Sequence, residues 1–256
     1  MDFKLIPLFL IGGMFLGLLA FLEAGRRIRL AGIKKAATEP PAGSGAVEAA
    51  VYSLMGLLIA FTFSGAASRF EARRHLIVEE ANAIGTAYLR LDLLSPEAEQ
   101  TLKEKFRKYL DSRLEAYRKM PDIKAVMAEI ARSKYLQAEI WAEAAAASRE
   151  VLPVPAAQVL LPAINEMIDI TTTRMVATQN HPPWIIFAML VFLALLSALL
   201  AGFSMAGSKH RFHKLVFAAI LAITVYVIID LEFPRLGLIQ ISAADKVLVE
   251  VRQGMN

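Results

Sequence analysis

Apolar residues run in four blocks, 5–22, 46–67, 184–206 and 215–233, and between the second and third the pattern becomes a helical alternation of apolar and charged positions. The first and third blocks carry no charge. Each can cross a hydrocarbon layer ~30 Å thick as a helix. The second block holds one acid, Glu48, near its start. In the fourth, 215–229 is followed by Asp230, Leu231, Glu232 and Phe233 before Pro234. The first block follows a lone Lys4, lacks a small-x-small cleavage site and is followed by its basic cluster, so it reads as a retained span rather than a leader.

Between the spans, prolines divide the chain into helices expected at 68–94, 96–120, 122–151 and 156–179. The breaks fall at Pro96, Pro121, the Pro153-x-Pro155 pair and Pro182-Pro183. In the third of these, Ile123, Val126, Met127, Ile130, Tyr135 and Trp141 recur at helical spacing and are expected to pack in a core or helix interface. The fold class is therefore an all-α membrane protein of four transmembrane helices, with a helical extramembrane domain inserted between spans 2 and 3. The expected divisions are 1–67 (spans 1 and 2), 68–183 (helical domain), 184–233 (spans 3 and 4) and 234–256 (C-terminal tail). Thr38–Gly45, rich in Pro and Gly, reads as a flexible linker.

The second span has a stripe of small residues: Ala46, Ala49, Ser53, Gly56, Ala60, Ser64 and Ala67. Such a stripe lets helix backbones approach closely. Facing water, its hydroxyls and small side chains would instead line a pore, with Phe61 and Phe63 as an apolar constriction. No Pro interrupts the helix after Ala67, so residues 46–93 can form one helix of roughly 70 Å. The hydrocarbon takes less than half of that length.

Beyond the span, Phe70, Ile77, Ala81, Ile84, Tyr88 and Leu91 share an apolar face. A polar face carries Glu71, His75, Glu79, Asn82 and Thr86, with acids four residues before and after His75. Arg69 and Arg73 fall on a third strip with Glu80, where they can anchor the helix at the interface or ring a pore mouth. The acids Glu48, Asp230 and Glu232 are candidate ion sites, because a carboxylate within a span is costly unless it serves a purpose.

Charge adds an orientation. The first connection carries Arg26, Arg27, Arg29, Lys34 and Lys35, and the connection between spans 3 and 4 carries Lys209, Arg211 and Lys214. By the positive-inside rule both short loops are cytoplasmic, which places the helical domain and both termini on the periplasmic side. Residues 68–183 are balanced, with 16 basic and 16 acidic residues, so the chain's net charge of +4 comes from its loops. The basic balance is thus an orientation signal, and nucleic acid is not an expected partner.

Catalytic chemistry has no foothold in the sequence. There is no phosphate loop, nucleophile elbow, dinucleotide fingerprint or zincin motif, and no cofactor is implied. His210-x-x-His213 lies among Lys and Arg, which disfavour a metal cation, so no metal site is expected. The absence of cysteine excludes disulfides and thiolate chemistry.

The stretch from Ala60 to Arg74, AFTFSGAASRFEARR, resembles the point in bacterial bestrophins where the second span runs into an Arg-aromatic-Glu-Ala-Arg signature. Together with EEANAIGTAYLRLDLL and IDLEFPRLGLIQIS it resembles more closely the bestrophin-like membrane proteins of bacteria. The resemblance implies a homo-oligomeric, pentameric channel for inorganic ions in the bacterial inner membrane. Its pore would be lined by the second span, with Arg69, Phe70, Glu71 and Arg73 at the mouth. It also implies a cytoplasmic helical domain, opposite to the side that the loop charges favour. A non-conducting membrane scaffold or sensor, whose helical domain binds a partner or ligand, fits the same patterning.

Overall fold

A computed structural model describes residues 6–35, 44–150, 154–207 and 211–255. Among these no strand occurs. Most of the Thr38–Gly45 linker lies outside the described residues, as do Pro153, Lys209 and His210. The chain forms two compact units: Met1–Phe70 with His181–Ile239, and Glu71–Asn180 with Gln240–Asn256.

The first unit holds α1 (Ile6–Lys35), the first part of α2 (Ser44–Leu89), α6 (Trp184–Ser204) and α7 (Arg211–Glu232). All four are long and apolar enough to cross a membrane. Helix α1 packs on α6 and α7, and α6 on α7. Their shared core includes Leu18 and Leu22 from α1, Leu190, Ala194 and Ala198 from α6, and Ala218, Ala222 and Ile228 from α7.

The α1–α6 crossing is set by backbone. A Cβ on Gly25 would overlap the Leu199 carbonyl, and one on Gly202 would overlap the Leu22 carbonyl. Lipid tails are as apolar as leucine, so helices in a membrane associate through packing of this kind rather than through hydrophobic exclusion from water.

After α7 the chain turns back upon Asp230. This buried carboxylate accepts from the Tyr226 hydroxyl at 2.6 Å and from the backbone N–H groups of Leu238 at 3.1 Å and Ile239 at 2.7 Å. Gly237 lies directly against it, with no room for a Cβ. The acid that ends the fourth span is thus paired within the turn it organises.

The second unit holds the rest of α2, a 3-10 turn at Arg90–Leu93, α3 (Pro96–Arg118), α4 (Ile123–Glu150), α5 (Val154–Gln179) and α8 (Lys246–Gln253). Pro96 opens α3, where its missing N–H costs nothing, and Glu97 and Glu99 complement the positive end of the helix. Ile77, Ile84, Leu102, Phe106, Tyr109, Ile140, Leu160 and Ile164 are fully buried. Helix α3 packs on α4 and α8. The end of the chain is held there too: the Met255 carbonyl accepts from Arg107 Nη1 at 2.8 Å and from the Tyr88 hydroxyl at 3.1 Å.

Helix α4 departs from the expectation of its apolar residues. Ile123, Met127, Tyr135 and Trp141 are exposed on this chain, while Glu129, Ser133, Leu136, Gln137, Ile140 and Ala144 face inward. Polar pairing explains the rotation. Ser112 donates to Glu129, Lys119 pairs with the same carboxylate, and Gln137 donates to the hydroxyls of Tyr109 and Thr171. The Lys119 ammonium holds the Glu129 carboxyl below the usual carboxylate range, against the opposing effect of burial.

The glycine crossing is testable. Gly202→Val should destabilise the protein by about 1–3 kcal/mol or more, as overpacking of a tight contact does, and lower the thermal midpoint of the detergent-solubilised protein. Gly12→Val, at a position with open space, should leave it unchanged. Equal midpoints for the two variants would refute the tight crossing.

Candidate functional site

Most of the small stripe of α2 is left open within its own unit, with Ala67 alone of its members packed against the core. Ser53, Gly56, Ala60 and Ser64 are exposed and Ala67 is half-buried. Nothing lies within 4 Å of a Cβ built on Gly56. Within the chain, the close backbone approach of membrane helices occurs at Gly25 and Gly202. Phe61 is 69% exposed and Phe63 45% exposed. What the membrane half of α2 does bury is a narrow opposite side, with Met55 and Ala66 in the core and Tyr52, Leu58 and Ile59 packed against it.

The candidate mouth residues separate by helix face. Phe70 is half-buried against the core of the first unit. Arg69 reaches Glu232 at the end of α7: Nε donates to Oε1 at 2.9 Å, and Nη2 donates to the same carboxylate. Glu232 is only 1% exposed. His181 Nδ1 stands 3.3 Å from its second oxygen, and the His181 ring stacks on Phe233. The carboxylate is thus flanked by a guanidinium group and an imidazole.

Arg73 is buried and serves α5. Its Nε donates to the Ala177 carbonyl and its Nη2 to the Asn180 carbonyl, both at 3.0 Å. These are the carbonyls that a helix end leaves without intrahelical partners, and a cation is favoured beside them. Glu71, in contrast, is exposed and accepts from Arg74 at 2.8 Å. His75 is exposed and pairs with Glu79 rather than Glu71.

The third residue of the strip, Glu80, is fully buried. Arg113 of α3 forms a two-point pair with it, at 2.7 and 3.2 Å, and Arg174 of α5 pairs with the same carboxylate. Both guanidinium groups lie over the Tyr117 ring, at 5.6 and 5.1 Å from its centroid. Arg69, Arg73 and Glu80 therefore share an inward face, and each meets its partner inside its own unit. Sequence reading placed the three on one strip; it missed Arg113 and Arg174, whose only signal is a lone basic residue on an otherwise inward-facing side of α3 or α5.

The remaining candidates are also engaged. Glu48 accepts from the Ser204 hydroxyl at 2.6 Å, and Asp230 is consumed by its turn. Among the described residues no group of three or more His, Asp or Glu side chains could hold a metal ion. The features left free on α2 are geometric: an exposed stripe of small and hydroxyl-bearing residues beside two exposed phenylalanines.

Comparison with known proteins agrees with this architecture. Structures of variants of a bacterial bestrophin homologue from Klebsiella pneumoniae match with TM-scores of 0.73 and 0.68, at 14% and 16% identity. The matches cover 96% and 97% of this chain and 98% of theirs. The crystal structure of a variant described as a membrane protein matches at 0.70, with 14% identity, over 97% of this chain and 98% of that one. At these identities the likeness is one of fold. A search of curated proteins found no match. The model of the bestrophin-like domain matches residues 15–245, nearly the whole chain, and the protein belongs to the bestrophin-like family.

Proposed function

We propose that this membrane protein assembles as a homo-oligomer, a pentamer by family resemblance, and conducts inorganic ions through a pore lined by α2. The observation that carries the reading is the exposed stripe of Ser53, Gly56, Ala60 and Ser64, which its own chain leaves uncovered. A surface of small and hydroxyl-bearing residues inside a bilayer suits a water-filled path better than lipid, because it leaves room for a hydrated ion and offers weak hydrogen bonds to it. Phe61 and Phe63 supply the apolar constriction, where an ion sheds part of its water. The same family resemblance supports the bacterial inner membrane as its location. The basic short loops favour their own side as cytoplasmic and the helical domain as periplasmic.

Protein reconstituted into liposomes with a defined ion gradient should pass ions. Phe63→Ala should raise flux by widening the constriction, and Ser53→Leu should reduce it. Assembled oligomers that pass neither anions nor cations, over a range of voltage and pH, would leave the scaffold reading in possession.

In this reading Arg69 holds α2 to the end of α7 and is not a free charge at the mouth. Arg69→Gln should cost about 2–3 kcal/mol, less than the loss for a fully buried pair because Arg69 is partly exposed. The double variant Arg69→Leu/Glu232→Leu should recover most of that. Additive losses in thermal unfolding would show that the two residues are independent.

Orientation is checked in the cysteine-free chain with Ala98→Cys and a membrane-impermeant maleimide on intact cells. Labelling from outside is expected. Labelling only after the cytoplasmic side is opened would reverse the topology.

A further inference from the structure

The polar pairs that turn Glu129 and Gln137 of α4 inward leave an apolar side of that helix outward. Ile123, Met127, Ala131, Lys134, Ala138 and Trp141 are all exposed and recur at spacings of three and four, so they stand in one row along the helix. Ile123 is 57% exposed and Met127 59%. A row of large apolar side chains open to water marks an interaction surface, and Trp and Met are enriched where proteins meet. The charge within the row is Lys134, and Lys124 stands at its edge; neither meets an acid among the described residues. The acids beside the row are already engaged: Glu139 accepts from the Tyr135 hydroxyl at 3.2 Å, and Glu143 pairs with Lys105 at 2.9 Å.

Helix α5, in the same unit, carries the counterpart. Val159, Pro162, Glu166, Asp169, Thr173 and Val176 are exposed and again recur at spacings of three and four. Both charges in this row are acids, and neither meets a cation among the described residues; Asp169 accepts from the Asn165 side-chain amide at 2.9 Å. The two rows match in length, roughly 27 Å from Ile123 to Trp141 and roughly 26 Å from Val159 to Val176. They also match in order, with apolar ends and charge towards the middle. Laid side by side in either direction, Lys134 falls within about one residue of an acid, Asp169 if the helices run parallel and Glu166 if they run antiparallel. Both rows are open on one chain, so a second copy of the chain brings the complement to each.

We propose that the α4 row of one copy docks on the α5 row of the next, a head-to-tail contact that the same two faces repeat around a closed ring. The proposal rests on the homo-oligomer of the proposed function and not on ion flow through it. Trp141, Met127 and Ile123 lose water against Val159, Pro162 and Val176, and a buried Trp of this kind is where an interface concentrates its affinity. The ion pair of Lys134 with the α5 acids adds little affinity at an exposed position and sets register and partner instead.

The test uses the full chain in detergent micelles. Because the chain has no cysteine, Lys134→Cys/Asp169→Cys places one thiol on each row and none elsewhere. A short bis-maleimide should then link copies into a ladder of dimers and higher multimers on a denaturing gel. Each single variant should give no ladder, since it leaves one half of every contact without a thiol, and Lys134→Cys/Glu104→Cys, whose second site is exposed on α3, serves as the control. In the cysteine-free protein, Lys134→Glu should raise about fivefold the concentration below which the oligomer dissociates on dilution, read by mass photometry. Adding Glu166→Lys/Asp169→Lys should reverse that shift. A ladder no stronger than the control, or a dissociation midpoint unmoved by charge reversal in folded protein, would overturn the proposal. Protein that is monomeric at every concentration would remove the homo-oligomer as well, whereas a ladder from protein that passes no ions would leave this contact standing and remove conduction alone.

Discussion

Where α1 crosses α6, two backbones meet with nothing between them, and the rest of the membrane unit follows from that contact. Helices in lipid gain little from hiding apolar surface, since the solvent is itself apolar. They gain from close contact, and Gly25 and Gly202 allow each helix to rest on a carbonyl of the other. Ala194, Ala198, Ala218 and Ala222 then let α7 join α1 and α6 with few large side chains intervening. Helix α2 takes part only along a narrow side, and for that reason its small stripe remains uncovered.

A second constraint acts along α2. Charged residues on the inward side of a helix persist only where partners meet them, because an unpaired buried charge costs several kcal/mol. The strip of Arg69, Arg73 and Glu80 obeys this three times with three kinds of partner. Arg69 meets a carboxylate, Arg73 the open carbonyls of a helix end, and Glu80 two guanidinium groups. Each pair fixes the rotation of α2 within its own unit.

Much of this was legible in the sequence. The four spans, the continuation of α2 past Ala67 and the helical inserted domain follow from apolar blocks and proline punctuation. The apolar face from Ile77 to Leu91 turns inward as its spacing predicts. Three things were hidden, each for a physical reason. The α1–α6 crossing depends on single glycines whose partner is backbone, and backbone leaves no trace in composition. The inward side of α4 cannot be read from hydropathy because Ile123, Met127 and Trp141 outweigh Glu129 and Gln137 on any such scale, whereas polar pairing decides which side faces in. The return of the C-terminal residues to the second unit rests on α8 packing against α3, an Arg252–Asp111 ion pair and a carbonyl at Met255, pairings between residues far apart in the sequence that no local pattern announces.

The same pairing changes how charge at a candidate mouth is counted. Read from sequence, residues 69–79 hold Arg69, Arg73 and Arg74 against Glu71 and Glu79, an excess of base. In the structure Arg69 is matched by Glu232, and Arg73 is buried on the carbonyls of α5. The charged groups at the surface of this stretch are Glu71, Arg74 and Glu79, with His75 beside Glu79. A carboxylate cancels the charge of Arg69, whereas the carbonyls that hold Arg73 stabilise its charge without cancelling it. Arginines in a signature motif therefore do not by themselves make a surface attractive to anions; the neighbours they are folded against decide that, and Arg69 is already matched by a carboxylate of its own chain.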